Sequence, residues 1–398
     1  MTGPDPAPDR VTDLDHAGDA WAADPFPIWD DLRGRCPVPR SGRYGGVWLP
    51  TRYEDVLAIG YDHEQFTTRG YVIADDRPPD LGPLGGVPPL SAQPPLHHAA
   101  RRVLLPPLAP RAVARLEPMT RAYCRELVTA LRGREVVDAA EEYAQHIPVR
   151  VIARLLGFPE DDAEQFRSFV NQVLEEVTMP LEQRARSGAA LLDYLHAQVQ
   201  AHIDEPRDDL TSHLLDAELD GDKIGLDHVL GTMALLLIAG VDTTWSAIGA
   251  SLWHLAGHPS DRERLVAEPD LLPVATEELL RAYAPVSMGR LVAEDVEWNG
   301  CPMRADEWIL LSWAAANRDP EAFDDADKVV IDRAVNRHVT FGVGIHRCAG
   351  SHLARMELRV ALEVWLEAFP RFHLADPGGV RWSSGQVRGP RTVPVRVG

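Results

Sequence analysis

The sequence predicts a mainly α-helical fold with small β-sheets attached, an α+β architecture, on three patterns. Leu226 to Ala256 is apolar almost all round, which marks a helix buried in the centre of a large protein. Apolar residues recur at three- and four-residue spacing through Ala112–Leu131, Ala163–Val177, Arg184–Ile203, Leu272–Ala284 and Leu353–Ala368, the period of half-buried helices. Arg290 to Ser312 alternates instead, with Asn299-Gly300 in its middle, the pattern of a hairpin.

The first quarter reads differently. Of 33 prolines, 18 precede Arg111, so this part is expected to be rich in loops. Residues 1–20 read as a flexible tail, Gly46–Pro50 as a short strand and Arg52–Ile59 as a short helix. Arg69 to Pro95 carries Pro and Gly clusters and reads as a long irregular loop, of the kind that more often serves as a functional lid than as a plain connector. At the other end, Val387–Val397 reads as a terminal β-ribbon. No repeat, linker or further low-complexity tract appears, so residues 1–398 are expected to form one domain.

Composition excludes several functions. The net charge is −20, which argues against a nucleic-acid or anionic-membrane binder, since these need a net basic face. The longest strongly apolar run, Met233–Val241, stops at Asp242, short of the roughly 18 residues of a membrane span. Met1 to Arg10 is polar and Pro-rich without an apolar core, unlike a secretory signal. The four cysteines, Cys36, Cys124, Cys301 and Cys348, are far apart and do not read as a disulfide framework. A reduced, cytoplasmic protein is expected.

The most informative stretch is Phe341-Gly-Val-Gly-Ile-His-Arg-Cys-Ala-Gly350. Its glycines allow backbone conformations closed to other residues. A helix is expected directly after Cys348, and a thiolate beside a helix N-terminus is stabilised by the unpaired N–H groups and the dipole. His346 and Arg347 add positive character. Two plainer readings stand beside this one: a buried cysteine near a glycine turn, and a zinc pair of His346 with Cys348. The second lacks another ligand pair at suitable spacing.

The stretch resembles Phe-Gly-x-Gly-x-His-x-Cys-x-Gly, the haem-binding loop of bacterial cytochrome P450 enzymes, and matches it at Phe341, Gly342, Gly344, His346, Cys348 and Gly350. The resemblance runs from Trp21 to the C-terminus. It implies that fold, with the long central helix over a haem, and it implies haem b bound through Cys348 as the axial iron ligand. Glu278-Leu-Leu-Arg281 resembles the family's Glu-x-x-Arg, whose third member is usually a meander arginine. Here Ala326-Asp-Lys-Val329 departs from the family's Pro-x-Arg-Phe, so Lys328 or Arg333 must serve, and Arg333 is favoured. Ala239-Gly-Val-Asp-Thr-Thr244 places Gly, Asp and Thr inside an apolar helix. Each is locally unfavourable, and a threonine back-bonded to the preceding turn is the plain explanation. The resemblance makes this the oxygen-activation site, with Thr243 as the alcohol that hydrogen-bonds dioxygen and Asp242 as the acid that delivers protons through water.

The resemblance also assigns the haem propionates to His97, Arg101, Arg290 and His346. His97 and Arg101 stand at i, i+4 on one helix face, with Leu96 where the family commonly has Glu and with His98 as an alternative. Substrate is expected near Tyr71–Ile73, Leu236, Ala239, Val286–Met288 and Gln386–Val387, around an apolar pocket. No reductase segment follows the haem loop, which implies electrons from a separate ferredoxin and ferredoxin reductase, docked on Arg101, Arg102, Arg347 and Arg355. The implied activity is insertion of one oxygen atom from dioxygen into a small organic molecule, in natural-product tailoring or small-molecule catabolism. Other haem-thiolate chemistry (peroxygenation, oxidative coupling, nitration) and a non-catalytic helical scaffold are the competing readings, and the intact Asp242–Thr243 pair speaks against both.

Overall fold

The computed structural model describes residues 11–73, 86–175 and 181–398. Part of the long Pro/Gly loop, residues 74–85, and the expected helix end at Val177 lie outside them. The chain divides into two compact units. One is built from residues up to 77, 277–348 and 382–388, the other from 78–276, 349–381 and 389–398. Each unit is assembled from separated stretches, so no linker composition marks them in the sequence.

The first unit is built on a six-stranded sheet. Its order is Val11–Thr12, Arg40–Ser41, Val47–Trp48, Trp308–Ser312, Ser287–Val292 and Phe66–Thr67. The central pair is antiparallel, with Ile309 opposite Arg290 and Leu311 opposite Met288. Trp48, Ile59, Phe66, Ile309, Leu311 and Trp313 form its main core. The alternating region is thus two nested hairpins rather than one. The inner pair, Val296–Trp298 and Cys301–Met303, turns at Asn299 (φ 48°) and Gly300 (φ 73°), the two positive φ values that a tight two-residue turn requires. Residues 11–20, expected as part of a flexible tail, are placed instead, since Val11 pairs with Arg40 and Leu14 joins a buried cluster with Trp21 and Trp29; residues 1–10 lie outside the described residues.

The second unit is helical. Its axis is the helix Leu226–Gly257, packed against His146–Leu156, Ala163–Glu175 and Ser351–Ala368. By length and hydropathy this helix is apolar enough to cross a membrane, contrary to the shorter run read from sequence. Yet 67% of its most apolar window is buried inside the protein, as expected of a core helix. The expected helix Ala112–Leu131 is broken into Pro110–Val113 and Glu117–Leu131. Pro118 sits in the first turn of the second piece, where the missing N–H costs nothing but a continuous helix cannot form. Leu272 begins a helix that stops at Ala282 rather than 284, ahead of Pro285. The expected C-terminal ribbon is two strands, Pro390–Thr392 and Pro394–Val397. The latter lies between Phe372–Leu374 and Val136–Asp138 in a three-stranded sheet.

Candidate functional site

The cysteine loop is held by its backbone. Gly342 and Gly344 take φ values of 69° and 67°, the left-handed region that favours glycine. The Cys348 amide donates to the Phe341 carbonyl at 2.8 Å and the Arg347 amide to Gly344 at 3.2 Å. The loop rests on the helix Tyr53–Tyr61 at Gly60, where a Cβ would stand 2.6 Å from Val343 Cγ2. The helix Ser351–Ala368 begins three residues after Cys348. Cys348 is exposed, whereas Cys36, Cys124 and Cys301 are buried. His346 lies in a short 3-10 turn with Nε2 3.4 Å from the Thr68 hydroxyl. Phe341 packs beside His338 with ring centroids 6.0 Å apart, and Gly350 caps the following helix.

Arg290 is suited to a haem propionate. It is 3% exposed. Its one hydrogen bond named among the described residues runs to the adjacent Gly289 carbonyl, at 2.8 Å, and no ion pair with a carboxylate of those residues reaches it. Burial alone pulls its pKa down to about 10. A buried cation in this state calls for an anion, and a haem propionate is one.

The Glu278 cluster is complete within the first unit. Arg281 donates from Nε to Glu278 Oε2 and from Nη2 to Oε1, both at 2.8 Å. Arg333, not Lys328, reaches the carboxylate, with Nε 2.9 Å from Oε2. Lys328 is exposed and pairs with Asp325. Sequence reasoning missed Asn336, whose Nδ2 donates to Oε2 at 3.0 Å, and the Val330 amide, which donates to Oε1 at 2.8 Å. Burial works to raise the Glu278 pKa, but its hydrogen bonds to Arg281 and Val330 and the pairing with Arg333 outweigh it and hold the carboxyl below its usual range.

Three expected substrate segments meet in the same unit. Val286 bridges Val387, and the Ser287 amide donates to the Gln386 carbonyl at 2.8 Å. The Tyr71 carbonyl accepts from the Gly289 amide at 3.0 Å and from the Gln386 amide group. Val286 and Met288 are half-buried. Ile73 departs from the expectation, because it is buried in the Trp308 cluster as core. Burial pushes the Tyr71 phenol up to about 12.

In the second unit the central helix is accessible over part of its middle. Ala239 is exposed and Leu236, Gly240 and Thr243 half-buried, while Leu237, Val241 and Asp242 stay buried. Positions 236, 239, 240 and 243 share one helix face. Thr243 donates to the Ala239 carbonyl at 2.7 Å, the plain back-bond anticipated above. Gly240 has a packing reason of its own, since a Cβ there would meet Ile152 Cδ1 at 2.5 Å. On the helix Leu96–Leu104, His97 is buried and His98 exposed, with Arg101 half-buried. Arg102 is already paired with Asp220 at 2.8 Å, which weakens it as a docking cation.

Accessible positions in the middle of a mostly buried central helix, an exposed cysteine on a glycine-shaped loop and a buried arginine suited to an anion are features of a helical haem-thiolate enzyme. Comparison with known proteins agrees. The sequence signature of the family described as Cytochrome P450 matches residues 149–378. Cytochrome P450 107B1 of Saccharopolyspora erythraea is 36% identical, over 98% of this chain and 99% of that protein. Mycinamicin IV hydroxylase/epoxidase of Micromonospora griseorubida is also 36% identical, over 92% and 94%. The crystal structure of CYP101J2 superposes with a TM-score of 0.90 at 25% identity, covering 100% of both chains. The chain belongs to the cytochrome P450 family, and it is a haem b-dependent monooxygenase.

Proposed function

We propose that this enzyme inserts one oxygen atom from dioxygen into a small, largely apolar organic substrate, by hydroxylation or epoxidation. The observation that carries this reading is the accessible group Leu236, Ala239 and Thr243 with the acid Asp242 beside it in sequence. Similarity to a mycinamicin hydroxylase/epoxidase favours a natural-product substrate. Electrons come from a separate ferredoxin and ferredoxin reductase, which dock against Arg347, Arg355 and Arg101. The enzyme works in the cytoplasm, where its four cysteine thiols stay reduced.

The haem supplies the oxidising chemistry when bound, and the protein contributes binding, orientation and water exclusion. Cys348 would hold the haem iron through its thiolate, with Phe341, Gly342 and Gly350 shaping its loop. Arg290, His346, His97 and Arg101 neutralise the propionates. Val286, Met288, Val387, Leu236 and Ala239 present apolar surface that excludes water and orients the substrate. Thr243 keeps its hydroxyl hydrogen on the Ala239 carbonyl with its oxygen lone pairs open, so it can accept a hydrogen bond and hold a proton-bearing partner in place. Asp242, buried beside Thr243 in sequence, is the acid that relays protons.

The test is coupling. In holoenzyme reconstituted with ferredoxin and ferredoxin reductase, Thr243→Ala is expected to keep consuming dioxygen while product per dioxygen falls by roughly 100-fold or more, as for loss of a proton-transfer group. Unchanged coupling removes Thr243 from the mechanism.

A further inference from the structure

We propose that Arg391 is a positioning residue for the reaction. It holds the Asp242 carboxylate in place and so makes proton supply depend on the docking of segment 389–391 against the central helix. The proposal rests on the reading of Asp242 as the proton-handling acid.

The geometry is specific. Arg391 Nη2 lies 2.9 Å from Asp242 Oδ1 and 3.1 Å from Oδ2. Its Nη1 donates to the Ser246 hydroxyl at 3.1 Å, and its guanidinium sits 4.3 Å from the Trp245 ring centroid. The Asp242 side chain is 2% exposed, so its charge is neutralised inside the protein by a residue 149 positions away in sequence. Asp242, Ser246 and Gly249 fall at i, i+4 and i+7 on one helix face. That face is cut down to admit the segment. A Cβ on Gly389 would stand 2.2 Å from Ser246 Cβ and 2.7 Å from its Cα, and one on Gly249 would stand 3.1 Å from Pro390 Cγ. The segment is fixed in turn by the strand Pro394–Val397 and by the Val393 amide, which donates to Asp138 Oδ1 at 2.9 Å.

Successive helix residues point about 100° apart, so Thr243 belongs to the accessible positions while Asp242 is turned to the C-terminal segment. Arg391 therefore holds the acid on the side of the helix that faces the C-terminal segment. A buried carboxylate deprived of this partner takes up a proton, and the supply through it changes.

The experiment compares Arg391→Gln, Arg391→Lys, Asp242→Asn and the Arg391→Gln/Asp242→Asn double variant as full-length holoenzymes. Three readouts are taken: coupled product formation, its solvent isotope effect, and the protonated-carboxyl band in the infrared spectrum. Arg391→Gln is expected to lower coupled turnover about tenfold, to raise the isotope effect about twofold, and to show a new carboxyl band that is lost in the double variant. Arg391→Lys keeps a cation, without the planar fork, and restores most of the turnover. The double variant is no worse than Asp242→Asn alone. Arg391→Gln with a wild-type isotope effect and no new band, beside an impaired Asp242→Asn, overturns the proposal and leaves Arg391 structural. A normal Asp242→Asn overturns the acid reading itself. Should Arg391→Gln fail to take up haem, Arg391→Lys still decides. A wild-type isotope effect in it supports the proposal where the turnover is retained, and one accompanied by a tenfold loss of turnover sinks it.

Discussion

Cys348→Ala is expected to abolish the red-shifted, thiolate-type absorption band of the reduced carbon monoxide complex, with the far-ultraviolet circular dichroism left close to wild type. The two halves of this expectation have separate causes. The thiolate is a strong electron donor to haem iron, and no other cysteine can replace it, since Cys36, Cys124 and Cys301 are buried elsewhere. The loop does not depend on the thiol. It is shaped by the left-handed Gly342 and Gly344, by the Cys348 amide bonded to the Phe341 carbonyl at 2.8 Å, and by the close seat of Val343 on Gly60. All of these survive truncation to alanine. A retained thiolate band in the purified variant would sink the ligand assignment. Gly60→Ala makes the reciprocal control. Its Cβ would come 2.6 Å from Val343 Cγ2, so it displaces the loop without touching the thiol, and a partial loss of the band is expected.

The loop was legible in the sequence because its fixed residues are local. Six positions within ten residues encode one backbone shape and one ligand. The central helix was legible for the same reason, as a long apolar stretch. What was hidden is non-local. Nothing in Asp242 or Arg391 announces the other across 149 positions, and Gly389 and Gly249 become intelligible only when the strand is seen against Ser246. Gly240 also has a packing role that its sequence does not show, since Ile152 sits against it. Ile73 was read as substrate-facing because the loop around it was, yet it is core. The early strand Val11–Thr12 escaped notice because two residues carry no period, and their order comes from the partner strand Arg40–Ser41. Arg333 was reached only through the resemblance, since the chain departs from the usual meander at Ala326–Val329.

Arg281→Lys should be nearly as damaging as Arg281→Ala, each costing about 3–5 kcal/mol, the range for breaking a buried ion pair. The reason lies in the count of donors. Arg281 is fully buried. Beyond the two bonds to Glu278, its Nη1 donates to the Asn317 carbonyl at 2.8 Å and the Ala326 carbonyl at 2.9 Å, and its Nη2 to the Lys328 carbonyl at 2.6 Å. A guanidinium has five N–H donors in a fixed fork, and all five are engaged, whereas an ammonium has three. Lysine therefore leaves carbonyls of the meander unsatisfied as well as loosening Glu278. A loss of this size is a large part of a typical folding stability of about 5–15 kcal/mol. The pH dependence carries a matching sign. The Glu278 pKa is lowered in the folded protein from 4.5, so the cluster's stabilisation is full above that pH and is lost as the pH falls toward the lowered folded value. Urea midpoints measured from pH 7 downward should thus fall more steeply below about pH 4.5 in the wild type than in Glu278→Gln, which has no carboxylate left to protonate. Parallel curves would mean that the carboxylate is not what the arginines hold. A wild-type midpoint for Arg281→Lys would mean that charge alone, and not the fork, joins this helix to the meander.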